Sequence, residues 1–425
     1  MIEGGPASLK AQRVLLLQGP MGPFFRRLAR DLEAVGAQVL KVNFNGGDWL
    51  FYPTGAIHYR GTMPNWPAFF ERLLRDHRID LVLLFGDCRP VHEEIQRICQ
   101  RCGVKTGVFE EGYVRPDYIT LEHCGVNGYS QTPRSPAVYR QAPEENTPPP
   151  HPVGNTFWHA VRWAILYYVA AALLSPVFAR YRHHRPLTLL EAGPWLRSVW
   201  RKLHYRIRER GVQSELAGPL SGRYFLLALQ VHNDAQVRVH SAHETVAQFI
   251  DETLQSFARR APADAILVIK HHPLDRGYHD YRRLIRQRAE ALDLRQRVRY
   301  LHDQHLPTLL THARGIVLIN STVGLSALDH GKPVKACGTA VYNLPGLTYQ
   351  GPLDTFWTAA PAFVPDPALF LRFRTYLIRH TQLNGNFYKR LDSAGNRVGL
   401  IWSEATGDAV LTGFGLPGGF VSRPE

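Results

Sequence analysis

Apolar runs of four to six residues recur along this chain, and each ends in a polar or glycine-rich turn. Arg13–Leu17 is the first. Gln18-Gly19-Pro20-Met21-Gly22-Pro23 follows it, and a helical apolar period then covers Phe24–Val35 and stops at Gly36. That order predicts strand, loop and helix. Gln38–Phe44 reads as a strand, Phe69–His77 as a helix, Asp80–Phe85 as a buried strand and Glu93–Cys102 as a helix. Val104–Phe109 is the next strand and ends at Glu110-Glu111-Gly112. A second series starts at Tyr224–Leu229. It continues through a helix at Ser241–Arg260, a strand at Ala265–Ile269, a helix at Tyr281–Leu292 and a short strand at Val298–Leu301. A helix at Leu306–His312, a strand at Gly315–Ile319 and a helix at Leu325–His330 complete it. Strands alternating with helices predict doubly wound parallel sheets. The expected fold class is therefore α/β: two Rossmann-like domains facing a cleft, on the GT-B plan, with a basic amphipathic helical insert.

Four segments are expected. Residues 1–155 form an N-terminal Rossmann-like domain carrying acceptor and catalytic groups. Residues 156–215 form the basic apolar insert. Residues 216–366 form a C-terminal Rossmann-like nucleotide-sugar domain, and 367–425 a helical tail that crosses back toward the first domain. Pro-rich Thr132–Val153 reads as a linker or long surface loop.

Composition adds a bias. The chain has 425 residues, 45% hydrophobic and 20% charged, with 50 Lys and Arg against 36 Asp and Glu. A net charge of +14 favours anionic partners such as a phospholipid surface or a phosphorylated substrate. Nucleic acid is not an expected partner, because no RRM, KH, zinc-finger or helix-turn-helix signature is present. Five scattered cysteines make no disulfide framework, and Cys99-Gln100-Arg101-Cys102 has no second pair to complete a metal site. The start of the chain lacks a basic region followed by an apolar run, so no signal peptide is expected. Reduced thiols and a cytoplasmic place are expected.

The insert changes the picture. Trp163–Ala179 carries no charge, and its 17 residues sit at the short limit for a membrane span. From Arg180 to Arg210 there are nine Arg and Lys against two Glu, interleaved with Trp195, Leu196, Val199, Trp200, Leu203 and Tyr205. That mixture suits an interfacial helix on anionic lipid; a buried helical pair and a true span are the alternatives.

Candidate chemistry lies at strand ends, where open α/β sheets bind ligands. Gly19 and Gly22 permit close backbone approach to a ligand, or simply make a turn. Asp87, Arg89 and His92 either point together into the cleft or close a local Asp87–Arg89 bridge. Glu110 and Glu111 repel, so one is held with a raised pKa or paired with Arg115. One of the two is expected to be a catalytic carboxylate and the other a cap. Gln230 suits a base or sugar, and Asp234 suits orienting His232, Arg238 or the ligand. His272, fixed by Pro273, suits a phosphate, whereas His271 reads as a core histidine. Ser321 and Thr322 open a helix and serve as cap or anion site. No acidic metal pair, Walker or EF-hand pattern is present, so neither metal nor other cofactor is expected.

Six strings, QGPMGPFF (Gln18 to Phe25), FGDCRPVH (Phe85 to His92), FEEGYVRPDYITLE (Phe109 to Glu122), LQVHNDAQV (Leu229 to Val237), KHHPLDRG (Lys270 to Gly277) and NSTVGLSAL (Asn320 to Leu328), occur in order. With them the chain resembles the capsule polysaccharide biosynthesis proteins of the KpsS/LipB type. The resemblance implies a retaining β-Kdo transferase. Its donor is CMP-Kdo and its acceptor a phosphatidylglycerol-type lipid, lyso or diacyl, so that it starts the oligo-Kdo linker of a bacterial capsule. It implies a peripheral place on the cytoplasmic face of the anionic inner membrane, among other capsule assembly proteins. Related β-Kdo transferases carry Glu-Asp-Gly where this chain has Glu110-Glu111-Gly112, which makes Glu111, one methylene longer, the candidate nucleophile. His272 and Pro273 resemble their CMP-binding turn, and Ser321 and Thr322 their phosphate-binding helix start. A transferase using another nucleotide sugar, and a non-catalytic adaptor for capsule assembly or export, are the competing readings.

Overall fold

The computed structural model describes residues 5–143, 147–181 and 192–402. Its strands, in chain order, are β1 (Arg13–Leu16), β2 (Gln38–Asn43), β3 (Ala56–His58), β4 (Leu81–Phe85), β5 (Lys105–Glu111) and β6 (Tyr118–His123). They continue with β7 (Tyr224–Ala228), β8 (Ile266–Lys270), β9 (Val298–Leu301), β10 (Gly315–Leu318), β11 (Val334–Ala336), β12 (Gln382–Gly385) and β13 (Leu400–Ile401). The chain divides into two compact units. One holds residues 1–131, 148–184 and 379–425; the other holds 132–147 and 185–378.

The first unit is built on a sheet of order β13-β12-β6-β5-β4-β1-β2-β3. Strands β1 to β5 are parallel, whereas β6 runs antiparallel to β5, and β12 antiparallel to β6. Val14 and Leu16 of β1 enter one core layer with Phe24, Leu28 and Phe109, and Leu15 and Leu17 enter the opposite layer with Phe70, Val82 and Ile98. A strand covered on both faces explains the unbroken apolar run at Val14–Leu17. The antiparallel β6 is a departure from the expected all-parallel sheet. It arises because Tyr118–His123 returns beside β5 with no crossover helix, pairing Glu110 with Thr120 and Glu111 with Ile119. The two glutamates therefore lie within β5 rather than beyond its end.

The second unit is a five-stranded parallel sheet, β11-β10-β7-β8-β9. Phe225, Leu227, Leu267, Ile269 and Val317 bury one face against the Val246–Arg260 helix and against Phe356 and Trp357. That helix starts five residues later than its apolar pattern suggests. Asp234 caps a short separate helix, Ala235–Val239, and Thr245 then caps the longer one through Gln248 N at 3.1 Å. The Pro-rich stretch is not a bare linker. It holds the Pro136–Gln141 helix, whose buried Tyr139 packs on Phe373 and Tyr376 within this unit. Among the described residues of the tail, Pro367–His380 is the one α-helix; β12 and β13 then join the first sheet.

The uncharged run enters the Phe157–Leu173 helix over its first eleven residues, Trp163–Leu173, and continues in turns to Ala179. The helix buries Tyr167, Tyr168 and Ala171, while Phe157, Trp158 and Leu173 stay exposed, Trp158 at 72%. It lies on the short Gly46–Phe51 helix of the same unit, where a Cβ on Gly46 would stand 2.2 Å from the Ala170 carbonyl oxygen. Only glycine permits that approach. Among the described residues no helix is long and apolar enough to cross a membrane.

Candidate functional site

In the first unit a polar cluster fills the carboxyl ends of β1, β4 and β5. Gln18 sits just past β1 and is fully buried. Its amide donates to Tyr181 Oη at 2.8 Å, and its Oε1 accepts from Arg89 Nη1 at 3.2 Å. Arg89 also donates to the Gly19 carbonyl at 3.0 Å and lies over the Phe85 ring. Gly19 is explained by packing, since a Cβ there would stand 2.8 Å from the Phe25 ring. Beside Gln18, Asp48 accepts from Phe44 N at 2.9 Å and from Tyr167 Oη at 3.0 Å, and Asn45 caps the Gly46–Phe51 helix through Asp48 N. Asn45 thus caps the helix, while Asp48 ties down the chain just before the cap through Phe44 N.

Glu110 and Glu111 are adjacent on a strand, so their side chains leave opposite faces of the sheet. Glu110 Oε2 and Arg89 Nε flank Gly86, 3.6 and 3.5 Å from where a Cβ would stand. Glu110 Oε1 accepts from the Glu111 amide at 2.9 Å. Burial pushes the Glu110 carboxyl up to about 7, with Glu111 and Asp87 adding to the effect and the amide bond and Arg89 opposing it. Near neutrality Glu110 is therefore poised between acid and base. Glu111 Oε1 instead accepts from Tyr388 Oη at 3.0 Å. Burial, then the Glu111 charge, keeps the Tyr388 hydroxyl protonated and a donor. Trp163 Nε1 fixes the Tyr388 carbonyl at 2.9 Å.

Three expected groups stand elsewhere. His92 does not open outward: it is buried, and its Nδ1 donates to the Gly86 carbonyl at 2.7 Å. Burial and Arg89 hold its pKa down at about 3, so it is a neutral brace beneath the Gly86 turn. Asp87 accepts from Val126 N at 2.9 Å and anchors the loop after β6. Arg115 is exposed, and its Nε donates to the Gly112 carbonyl at 3.1 Å rather than to a glutamate. Cys99 and Cys102 are free thiols on the Ile95–Cys102 helix, facing the core.

In the second unit the ends of β10, β7 and β8 lie side by side. Gln230 is engaged by protein on both ends of its amide. Nε2 donates to Asp234 Oδ2 and to Asn320 Oδ1, both at 3.0 Å, and Oε1 accepts from Asn320 N at 3.3 Å. It therefore ties the β7 and β10 loops together, where the sequence suggested a base or sugar contact. Ser321 Oγ accepts from Val323 N at 3.3 Å, its carbonyl accepts from Tyr342 Oη, and Thr322 stands at the cap position of the Val323–Asp329 helix. His272 Nδ1 accepts from Leu274 N at 3.2 Å in a turn whose Pro273 is exposed. His271 is buried and bonded to Tyr300 Oη at 2.7 Å, as a core histidine. An open cleft of about 470 Å³, lined by His240, Ser241, Cys337, Gly338, Thr339 and Asn343, lies at the same end of the sheet. Among the described residues no three His, Cys, Asp or Glu side chains converge as a metal site would require.

Sequence reasoning missed Tyr388, Tyr167 and Tyr181, whose partners lie far away in the chain, and Asp48, which joins the nearby Phe44 amide to the distant Tyr167 hydroxyl. It also did not pair His232 with Asp275. That dyad joins the loops after β7 and β8 and has no local signal.

Residues 80–388 match the family model described as capsule polysaccharide biosynthesis protein. The chain is 44% identical to the capsule polysaccharide export protein KpsS of Escherichia coli, over 89% of this chain and 98% of that one. It is 41% identical to the capsule polysaccharide modification protein LipB of Neisseria meningitidis serogroup B, over 90% and 93%. Among solved structures, the β-Kdo 2,4 transferase KpsC of Thermosulfurimonas dismutans aligns over 89% of this chain and 94% of that one, at 14% identity and a TM-score of 0.40. On the family match and the two long sequence alignments, the chain belongs to the capsule polysaccharide biosynthesis protein family.

Proposed function

We propose that this chain is a retaining glycosyltransferase that moves Kdo from CMP-Kdo to a phosphatidylglycerol-type lipid, lyso or diacyl, and so starts the oligo-Kdo linker of a capsule. The observation that carries the reading is the glutamate pair on β5. Glu110 is poised near neutrality, while Glu111 is held by the Tyr388 hydroxyl. Retention by double displacement needs a carboxylate that attacks the anomeric carbon and a second group that exchanges protons with the incoming hydroxyl. Glu111 takes the first role and Glu110 the second. Ser321, Thr322 and the His272-Pro273 turn are the donor-binding groups. Gln230 positions their loops. CMP-Kdo carries one phosphate and one sugar carboxylate, which protein cations and backbone amides can hold, so no metal is needed in this reading.

The lipid side rests on the Ala192–Arg208 helix. At about 100° per residue, Leu196, Val199, Trp200, Leu203 and Ile207 make one stripe, and all are exposed, Trp200 at 62%. Arg197, Lys202, Arg206 and Arg208 flank the stripe on both sides. Arg201 and Tyr205 face the other way, onto Arg276 O and the His302 ring of the same unit. An apolar stripe edged by cations fits the headgroup region of an anionic membrane. The test is product formation from CMP-Kdo and a phosphatidylglycerol acceptor, with Glu111→Ala as the control that must fail.

A further inference from the structure

The loop after β7 carries a histidine to which neither the family resemblance nor the donor-site reading gives a role. His232 Nδ1 is hydrogen-bonded to Asp275 Oδ1, and the His232 backbone N–H donates to Asp275 Oδ2 at 3.1 Å. Both oxygens of one carboxylate thus serve one residue. Asp275 is 0% exposed and His232 24% exposed, so the pair has a sealed end and an open end. With Nδ1 turned to the carboxylate, Nε2 is the nitrogen left toward solvent. His279 stacks on the imidazole, with ring centroids 3.9 Å apart, and Tyr278 lies 5.7 Å away, so the ring is clamped as well as aimed. Burial and the neighbouring His232 lower the pKa of His279. A buried carboxylate that fixes the tautomer of a partly exposed imidazole is the arrangement by which enzymes ready a histidine for proton transfer. The dyad stands where β7 and β8 end, next to the Gln230–Asn320 link between β7 and β10. In a parallel sheet that is where a ligand phosphate lodges.

We infer that His232 is a catalytic residue that meets the phosphate of the nucleotide sugar and protonates it as it leaves, and that Asp275 is its positioning residue. The inference rests on the nucleotide-sugar reading above. As the bond between the anomeric carbon and the phosphate oxygen breaks, its electron pair stays on that oxygen. The proton on His232 Nε2 moves to the same oxygen, and the neutral imidazole regains a proton from solvent, while the proton of the acceptor hydroxyl passes to Glu110 and from it to solvent. A positioned acid of this kind contributes roughly 100-fold or more to turnover.

The experiment measures steady-state turnover of CMP-Kdo by the full chain, its His232→Gln, His232→Gly and Asp275→Asn variants, with thermal melting of each. Expected is a kcat lower by about 100-fold in H232Q, with KM for CMP-Kdo little changed and melting retained. Added imidazole should restore part of the H232G turnover. Should D275N unfold, the H232Q and H232G results alone decide. An H232Q kcat close to that of the unaltered protein, a loss confined to KM, or an H232G variant indifferent to imidazole overturns the assignment. If the unaltered protein turns over no nucleotide sugar at all, the parent reading falls and this one with it. That outcome is distinct from a fully active H232Q.

Discussion

The hydroxyl of Tyr388 donates to Glu111 Oε1 at 3.0 Å, joining two positions 277 residues apart. The bond exists because the chain returns through β12 to the first sheet, bringing Phe387 into its core and Tyr388 to the end of β5. Removing the hydroxyl leaves Glu111 without its charged-acceptor bond, which is worth about 1.5–3 kcal/mol. Tyr388→Phe is therefore expected to lower kcat by about tenfold or more and to lower the melting temperature by several degrees without unfolding the protein. Turnover kinetics and a melting curve of the same preparation check this.

Glu110 gives a pH signature. Its folded pKa of about 7 lies above its ordinary 4.5. Between those values the folded state holds a proton that the unfolded state has lost, so stability falls as pH rises from about 4.5 to about 7 and is flat beyond. The contribution is at most about 3 kcal/mol. Urea unfolding at pH 5 and pH 8 should show the unaltered protein losing stability relative to Glu110→Gln across that window. Parallel curves for the two proteins would mean that Glu110 titrates normally.

The Gly46 contact predicts a steric failure. A Cβ 2.2 Å from the Ala170 carbonyl oxygen meets backbone, not a side chain that can rotate away. Gly46→Ala should destabilise the first unit by about 1–3 kcal/mol, seen as a lower denaturation midpoint. Gly55→Ala, where nothing lies within 4 Å but φ is +69°, is a control for backbone strain alone.

The stripe on the Ala192–Arg208 helix predicts vesicle binding that needs anionic lipid and weakens with salt. Trp200→Glu with Leu203→Glu removes two apolar anchors, each worth about 1.5–3 kcal/mol when buried. Sedimentation with phosphatidylglycerol vesicles should show binding falling by at least about tenfold. Equal binding to neutral vesicles at high salt would contradict the electrostatic part.

Much of the fold is legible in the amino-acid sequence. The β1 run, the Phe24–Ala34 helix and strands β7, β8 and β10 of the second sheet follow from apolar runs long enough to be buried on both faces, whereas the three-residue edge strand β11 (Val334–Ala336) is too short to show such a run. Tyr118–His123 is not legible as a strand, because its partner is an antiparallel neighbour chosen by β5 rather than by its own pattern. For the same reason Glu110 and Glu111 read as a turn. His92 carries no mark separating a brace from a ligand; the difference lies in the Gly86 carbonyl that accepts its Nδ1–H hydrogen bond. Tyr388 and Asp275 act through partners supplied by other strands, which no local pattern encodes.

The most direct measurement is mass spectrometry of a reaction containing the purified protein, CMP-Kdo and a fluorescent phosphatidylglycerol analogue, beside the same reaction with Glu111→Ala. Predicted is a lipid product heavier by one Kdo residue that disappears in the variant. An unmodified lipid with CMP-Kdo left intact, or a product that survives Glu111→Ala, would contradict the proposed transfer and its nucleophile respectively.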